Sequence, residues 1–383
     1  MYLEQLKLEN FKCFQKEQTF DFGKITLLTG ANSSGKSSVI YAVLGALQSG
    51  EFPSLFSTNG KYVNMGSFEE VSFDHKKDSI IKIHLKFENI RSGENKYFDI
   101  QTFWSFGKNT LPELKNLRIE SSTSSFEIND PEDLKNLKLF PPDIQKTIVS
   151  LKVFLSKYEE KINFIGSFRY NPERTYNEKN YGRYKVDKSG DGYLDQIIAW
   201  ETQSSPKFEM LISIMKDLSL LEDIESKRLE GGRYEFKIKT IKGGAYSSLS
   251  DVGYGISQFM PVMVADLQLP NDSQLFVSQP EIHLHPNIQS LFGDYLVRQV
   301  NNSGKRYILE THSEYLLNKI RLAIVKGEIS EEDVRVYFLE NNNTDTDVFP
   351  IKFTKNGQIL NAPKGFFETY LIDSMEIVLN AAP

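Results

Sequence analysis

The sequence predicts an α/β fold built on a mainly parallel, doubly wound sheet, with an antiparallel β lobe and a helical insertion. Three observations carry this prediction. An apolar strand at 24–28 runs into a glycine- and serine-rich loop and then into an amphipathic helix. Residues 67–106 contain short alternating strands separated by turn residues, a pattern typical of antiparallel pairing. The C-terminal third alternates buried strands with helices, which indicates parallel β-α-β units.

The remaining elements follow from hydrophobic periodicity, taken in chain order. The pattern predicts a half-buried strand at 2–10 and a helix at 37–47. Apolar residues then recur at helical spacing at 144–158 and at 205–226. The last third is predicted to contain buried strands at 275–277, 307–309 and 334–339 and helices at 286–300 and 313–326. The expected units are an N-terminal part at 1–130, a mainly helical insertion and linker at 131–240, and a C-terminal part at 241–383.

Composition limits the class of protein. The chain has 383 residues, 40% hydrophobic and 25% charged, which excludes a largely disordered chain. Its formal net charge is −6, so a chain-wide basic surface for nucleic acid is absent. A single cysteine, Cys13, excludes an internal disulfide framework, and no apolar run approaches the roughly 20 residues that span a bilayer. The N-terminus lacks a signal-peptide pattern, so we expect a cytoplasmic protein without membrane contact.

The strongest motif lies between the strand at 24–28 and the helix at 37–47, and it matches G-x-x-x-x-G-K-[ST]. The expected nucleotide contacts are Gly30, Ala31, Asn32, Ser33, Ser34, Gly35, Lys36, Ser37 and Ser38. Glycines let backbone N–H groups turn toward phosphate oxygens, and the helix N-terminus favours negative charge. Lys36 is expected to reach the β- and γ-phosphates, and the Ser37 hydroxyl to ligate Mg²⁺. The competing interpretation, a glycine–serine turn before a capped helix, is disfavoured by the complete motif in this setting.

A second segment follows the strand at 275–277 and reads Ser278-Gln279-Pro280-Glu281-Ile282-His283-Leu284-His285-Pro286. It resembles the Walker B region of ABC-type ATPases of the SMC/RecF/OLD class, in particular small bacterial AAA-type ATPases with a P-E-[LI]-H-L-H-P extension. Further stretches are similar to motifs of this class: the N-F-K-x-F opening at 10–14, an L-G-x-x-R…P-x-R element at 165–174, the G-x-G-x-S-Q signature at 253–258, T-H-S-E at 311–314 and a P-x-G-F-F tail at 363–367.

The resemblance implies an ABC-type P-loop NTPase head that uses ATP and Mg²⁺. Two copies would stack head to tail, with ATP between the P-loop of one and the signature segment of the other. Gly253, Gly255 and Ser257 would contact the γ-phosphate held by the partner, and His312 would sense that phosphate. The resemblance also implies a separately encoded effector, such as a nuclease in phage defence or DNA maintenance.

One departure from the family pattern concerns hydrolysis. Where ABC-type enzymes carry Asp-Glu after the Walker B strand, this chain has Ser278-Gln279. A hydroxyl is a poor substitute for a carboxylate that orients hydrated Mg²⁺, and glutamine cannot accept a proton from water. Glu281 is the nearest remaining carboxylate. The expected catalytic set is therefore Lys36, Gln279, Glu281 and His312, with Ser37 and Ser278 toward the metal, and hydrolysis is expected to be slow.

Several alternatives stay open at this point. A non-hydrolysing ATP-binding scaffold is compatible with Ser278-Gln279, and an ATP-gated DNA clamp is the less favoured third function because the net charge is negative. Glu281 and the histidines at 283, 285 and 312 could be read as a transition-metal site, but the ligand set is short. Arg169 and Arg174 suit contact with phosphate, nucleic acid or a partner, and they equally suit ion pairing and loop packing.

Overall fold

The computed structural model describes residues 1–89, 96–107, 109–129, 138, 140–177, 185–342, 345–363 and 365–366. The N-terminal strands are β1 (Tyr2–Glu9), β2 (Gln18–Asp21), β3 (Ile25–Gly30), β4 (Ile81–Asn89), β5 (Lys96–Phe106), β6 (Pro112–Ser121) and β7 (Ser125–Ile128). The remaining strands are β8 (Ile162–Ile165), β9 (Tyr176–Asn177), β10 (Asp223–Leu229), β11 (Arg233–Lys239), β12 (Ser247–Ser248), β13 (Gln274–Ser278), β14 (Arg306–Glu310), β15 (Val334–Asn342), β16 (Asp345–Phe353) and β17 (Ile359–Leu360).

Eight α-helices accompany these strands in the described part of the chain. They are α1 (Lys36–Gln48), α2 (Phe68–Val71), α3 (Pro142–Glu160), α4 (Tyr193–Thr202), α5 (Pro206–Asp217), α6 (Tyr254–Gln268), α7 (Pro286–Ser303) and α8 (Glu314–Val325). None of these described helices has the length and apolar character needed to cross a bilayer.

The main sheet has seven strands in the order β17-β16-β15-β3-β14-β13-β8. Strands β15, β3, β14, β13 and β8 are parallel, while β16 and β17 add an antiparallel edge. The predicted parallel, doubly wound sheet is confirmed. Because parallel strands end at the same edge, Gly30, Ser278 and Glu310 are brought to one edge of the sheet from β3, β13 and β14.

Both faces of the main sheet are buried, as expected for parallel strands covered by helices. Along β3, Ile25 and Leu27 join one apolar cluster with α4 to α8, whereas Leu28 joins a second cluster with α1 and α3. Helix α6 is buried over most of its circumference, so it is a central helix of the first cluster. The side chains of β3 thus contribute to apolar clusters on both faces of the sheet.

The antiparallel lobe is a six-stranded sheet in the order β2-β1-β4-β5-β6-β7, and it confirms the predicted β lobe. The insertion contains helices α3, α4 and α5, but it also supplies β8 to the main sheet and β9, β10 and β11 to a small antiparallel sheet. The proposed unit boundaries at 130 and 240 remain a prediction. Residues 131–137, at the start of the expected insertion, and two members of the 363–367 tail lie outside the described residues.

The helix predicted over 205–226 is wrong in its second half. Helix α5 ends at Asp217, and β10 begins at Asp223. Ser219 has a φ of 58°, which a continuing helix does not allow. Leu218, Leu220 and Leu221 are buried in the turn itself. The apolar run therefore marks a packed turn and imitates helical periodicity.

Candidate functional site

The glycine-rich loop has the geometry of a phosphate-binding loop. It follows β3 and leads directly into α1, which begins at Lys36. Gly30 and Gly35 have φ values of 130° and 93°, a region that favours glycine. A Cβ on Gly35 would lie 2.3 Å from Cys13 Sγ, so this glycine is also required by close packing. Ser34 is fully buried, and its hydroxyl has no hydrogen-bond partner among the described residues.

The Lys36 side chain lies along the loop and is only 3% exposed. Its ammonium donates to the carbonyl oxygens of Gly30, at 3.1 Å, and Ala31, at 2.5 Å. Burial lowers the pKa of Lys36, and the carboxylates of Glu310 and Glu281 oppose that shift. The loop thus holds a buried cation near two carboxylates.

Glu310 is a site residue that the sequence analysis missed. It is the last residue of β14, and its Oε2 accepts a hydrogen bond from Ser37 Oγ at 2.8 Å. Ser37 was predicted to ligate Mg²⁺, so the structure brings a carboxylate to that hydroxyl. The available signal was an acid at the end of a buried strand, directly before the T-H-S-E motif.

The Walker B-like segment begins at the end of β13 and turns there. Ser278 ends β13, is 4% exposed, and its hydroxyl has no hydrogen-bond partner among the described residues. Gln279 has a φ of 51°, and its backbone N–H donates to the Glu310 carbonyl oxygen at 2.7 Å. These contacts give no support to the catalytic role expected for Gln279.

Glu281 lies beside His312. Its Oε1 accepts a hydrogen bond from the His312 backbone N–H at 2.6 Å, while its buried Oε2 has no hydrogen-bond partner in the described part of the chain. Burial is the largest cause that raises the pKa of Glu281, and the bond from His312 opposes it. Partial burial and then the Lys36 ammonium lower the pKa of the His312 ring, which favours a neutral imidazole at pH 7.

The signature segment forms the start of α6 and packs on the Walker B-like segment. The Tyr254 ring lies 5.7 Å from the His283 ring, measured between centroids. A Cβ on Gly255 would lie 2.7 Å from the His283 carbonyl oxygen, so glycine at this position is required by packing inside one chain. Gly253 caps the helix and is exposed, and a Cβ added to it would meet no atom within 4 Å.

Ser257 does not fit its predicted hydroxyl contact with a partner's nucleotide. It is 1% exposed, and its hydroxyl donates to the Tyr254 carbonyl oxygen at 3.0 Å. The physical reason is that this residue lies on the core-facing side of α6, which the sequence motif alone does not reveal. In this chain the exposed part of the signature is therefore its glycine-rich start.

Arg169 is a buried packing residue. Its guanidinium donates to the carbonyl oxygens of Gly166, Gln258, Ser278 and Gln279, at 2.9 to 3.2 Å. Burial lowers its pKa to about 10, so it stays charged at neutral pH. These bonds join the end of β8, helix α6 and the end of β13.

Arg174 behaves differently from Arg169. Its guanidinium forms two bonds to the Asp251 carboxylate, at 2.7 and 3.0 Å. This ion pair is exposed, so it anchors a surface segment to the residues before the signature. Of the open interpretations, the structure favours packing for Arg169 and ion pairing for Arg174.

The loop opens into a cleft of about 490 Å³. The cleft is lined by Lys12, Cys13, residues 33–38, Glu70, Ser72, Asp74, His75 and Glu310. The N-F-K-x-F opening thus contributes directly to the cleft through Lys12 and Cys13. Among the described residues, no group of three or more His, Cys, Asp or Glu side chains is arranged to hold a metal ion by itself. The transition-metal interpretation of Glu281 and the neighbouring histidines accordingly gains no support.

Known proteins resemble the chain in sequence and in fold. The family described as "AAA domain, putative AbiEii toxin, Type IV TA system" matches residues 25–318, and one described as "Protein of unknown function (DUF3696)" matches residues 329–377. Comparison with curated proteins gives no significant match. A solved SMC head bound to the C-terminal winged-helix domain of ScpA is similar with a TM-score of 0.52 at 14% identity, over 93% of this chain and 99% of that chain.

Two further SMC heads give lower scores. The head domain from Thermotoga maritima has a TM-score of 0.47 at 13% identity, over 92% of this chain and 100% of that one. A head with an extended coiled coil, bound to the C-terminal domain of ScpA derived from Pyrococcus furiosus, has a TM-score of 0.48 at 12% identity, over 99% of both chains.

The likeness to the ScpA-bound head agrees with the fold described above, an ABC-type P-loop NTPase head of the SMC kind. Function rests on the sequence match, which spans the P-loop, the signature and the Walker B-like segment. An AAA family of this kind implies nucleotide binding. The chain belongs to the AAA-domain family described as putative AbiEii toxin of type IV toxin–antitoxin systems.

Proposed function

We propose that the protein is an ATP-dependent switch that binds Mg·ATP in the P-loop cleft, closes head to tail on a second copy, and hydrolyses ATP slowly. The observation that carries this proposal is the convergence of Lys36, Ser37, Glu310 and Glu281 around the loop at the carboxyl edge of the main sheet. A cation, a hydroxyl and two carboxylates at one loop are the groups that phosphoryl chemistry requires.

ATP binding follows from the loop. Backbone N–H groups of residues 31–35 and the N-terminus of α1 would hold the phosphates, and Lys36 would exchange its two carbonyl partners for phosphate oxygens. Burial favours this exchange. Because the Lys36 ammonium is not fully hydrated, its electrostatic attraction to a phosphate is stronger than it would be in water. Magnesium, when bound with ATP, would neutralise charge on the phosphates, and Ser37 would ligate it.

Hydrolysis would rely on Glu281. Its Oε2, which has no hydrogen-bond partner among the described residues, would accept a proton from water, and the raised pKa brings its basicity closer to neutral pH. The backbone N–H of His312 holds the other carboxylate oxygen in place. The neutral His312 ring would then be available to contact the γ-phosphate. Without an acid at 278 or 279, we expect turnover to be slow.

Head-to-tail closure would use the exposed start of α6. Gly253 leaves room for another molecule to approach its backbone, and the position of Tyr254 against His283 connects that surface to the Walker B-like segment. An SMC head in a solved structure binds ScpA, a separate protein. By analogy, the switch would act on a separately encoded effector, such as a nuclease in phage defence, and the family description supports a toxin–antitoxin setting.

Phosphate release from the purified chain tests the proposal. We expect slow, magnesium-dependent release that Lys36→Ala abolishes, together with roughly 10- to 100-fold weaker ATP binding because a charge-assisted bond is lost. Arg174→Ala is the matched control, since it removes a cation from an exposed ion pair outside the loop. Release that is unaffected by Lys36→Ala would contradict the assignment of the cleft.

A non-hydrolysing scaffold is the second candidate, and Ser278 favours it. That residue occupies the end of β13 with an uncharged, unpartnered hydroxyl among the described residues. Tight ATP binding without measurable phosphate release, in protein whose Lys36→Ala variant no longer binds ATP, would establish the scaffold in place of the slow enzyme.

A further inference from the structure

The end of β13 is where a carboxylate for the magnesium ion is expected, and this chain has none there. Ser278 is buried, its hydroxyl has no hydrogen-bond partner among the described residues, and it carries no charge. The next residue, Gln279, turns away from the strand with a φ of 51°, and its carbonyl oxygen accepts a bond from Arg169. Neither residue can offer the anionic oxygen that magnesium prefers.

A carboxylate is present on the neighbouring strand at the same level. Ser278 pairs with Glu310 in the parallel register of β13 and β14, and Glu310 pairs with Leu28 of β3 in turn. Paired residues of parallel neighbours point to the same face of a sheet, and adjacent strands lie about 4.8 Å apart. Glu310 therefore lies one strand closer to the P-loop than residue 278 does.

The Glu310 carboxylate already contacts the P-loop. Its Oε2 lies 2.8 Å from Ser37 Oγ, and the side chain lines the cleft although the residue is only 6% exposed. A buried carboxylate is costly unless a cation or donors compensate it. Lys36 is close enough for the Glu310 charge to raise its pKa, but the hydrogen bonds of its ammonium go to Gly30 and Ala31. A divalent cation beside Ser37 would add a positive charge to the hydroxyl donor that this carboxylate already has.

We propose that Glu310 holds the hydrated magnesium ion of bound Mg·ATP together with Ser37, in the role that a carboxylate at position 278 would otherwise fill. This inference rests on the proposed function. The carboxylate that contacts the metal would then lie on β14, between β3 and β13. Magnesium usually keeps several of its waters and takes one or two protein carboxylates, so a single glutamate meets its needs.

Calorimetry of ATP binding with magnesium and with EDTA tests the inference. For wild type we expect magnesium to tighten ATP binding. In Glu310→Gln that gain should fall at least tenfold, while the affinity measured in EDTA stays the same or improves because a negative charge near the phosphates is gone. Glu328→Gln is the matched control: this residue lies between α8 and β15, at the opposite edge of the sheet, and should leave both affinities unchanged.

The outcomes separate the two proposals. Wild type that binds ATP in neither condition would refute the proposed function, whereas wild-type magnesium dependence in Glu310→Gln would refute only the role of Glu310.

If Glu310→Gln does not fold, Glu310→Asp keeps the charge and withdraws it by one methylene. A several-fold higher magnesium requirement then supports the inference, and an unchanged requirement overturns it. Restored magnesium dependence in Glu310→Gln combined with Ser278→Glu would further support it, because it would show that the two positions are alternative donors.

Discussion

The carboxylate of Glu281, which we propose as the catalytic base, is buried at a cost in free energy. One of its oxygens is held by the His312 backbone N–H, and the other is buried without a hydrogen-bond partner in the described residues. Burial raises its pKa, which means that the ionised form is disfavoured in the folded protein. A group kept in this state is typical of functional sites, where stability is sacrificed for reactivity.

Replacing Glu281 tests this trade-off. The pKa of Glu281 in the folded protein lies above the ordinary value of 4.5. The protonated carboxyl therefore contributes to stability below pH 4.5, and this contribution is lost as the pH rises through the folded pKa. Glu281→Gln keeps an oxygen for the His312 N–H and removes the charge. We expect its unfolding midpoint to match wild type near pH 4 and to exceed it at pH 8, by about 2 °C per kcal/mol gained.

The same variant should lose phosphate release, since an amide cannot accept the proton of water. Scanning calorimetry at the two pH values and a phosphate assay measure both effects. Glu328→Gln serves as the control for a glutamate at the surface. A Glu281→Gln variant with wild-type turnover would show that the base lies elsewhere.

At the scale of elements, one arginine joins three parts of the fold at the Walker B-like segment. Arg169 follows β8 and bonds to carbonyl oxygens in α6 and at the end of β13. Helix α6 begins with the signature segment, and β13 leads into Glu281. The guanidinium thus links the surface expected to meet a second copy with the segment expected to activate water.

The two arginines of this segment provide a direct comparison. Arg169→Ala removes a buried cation and leaves several buried carbonyl oxygens without donors, so we expect a loss of about 3–5 kcal/mol in unfolding free energy. Arg174→Ala breaks an exposed ion pair with Asp251, and a change below about 1 kcal/mol is expected. Denaturant unfolding of both variants measures the difference, and equal losses would contradict the assigned packing role of Arg169.

The elements of this fold differ in how far local sequence determines them. The P-loop, α1 and the buried strands of the main sheet are predictable, because glycine placement and apolar periodicity act over a few residues. The position of Glu310 at a strand end is visible in the sequence, but its contact with Ser37 is not, because that contact depends on the register of β14 beside β3. Ser257 is predicted from the motif to contact a partner's γ-phosphate, but its side chain packs inward, since a motif specifies residue types and not the orientation of a helix.

At the scale of the whole molecule, the proposed function makes the P-loop cleft and the exposed start of α6 two halves of a site that a second copy would complete. The P-loop cleft lies at the carboxyl edge of β3 and β14, where phosphates would bind. The exposed glycine at the start of α6 has open space around it. Closure on a second copy would bring the start of α6 of one copy to the P-loop cleft of the other. Dimerisation would then depend on bound ATP.

Gly253→Ala tests this central claim most directly, because the variant isolates the contact between copies. The φ of Gly253 is −56°, and an added methyl meets no atom within 4 Å, so alanine should leave the single chain and its ATP binding unchanged. Sedimentation velocity with Mg·ATP is the measurement. The account predicts ATP-dependent dimers for wild type and at least tenfold weaker dimerisation for Gly253→Ala. Wild type that stays monomeric while saturated with ATP, or a Gly253→Ala variant that dimerises normally, would contradict it.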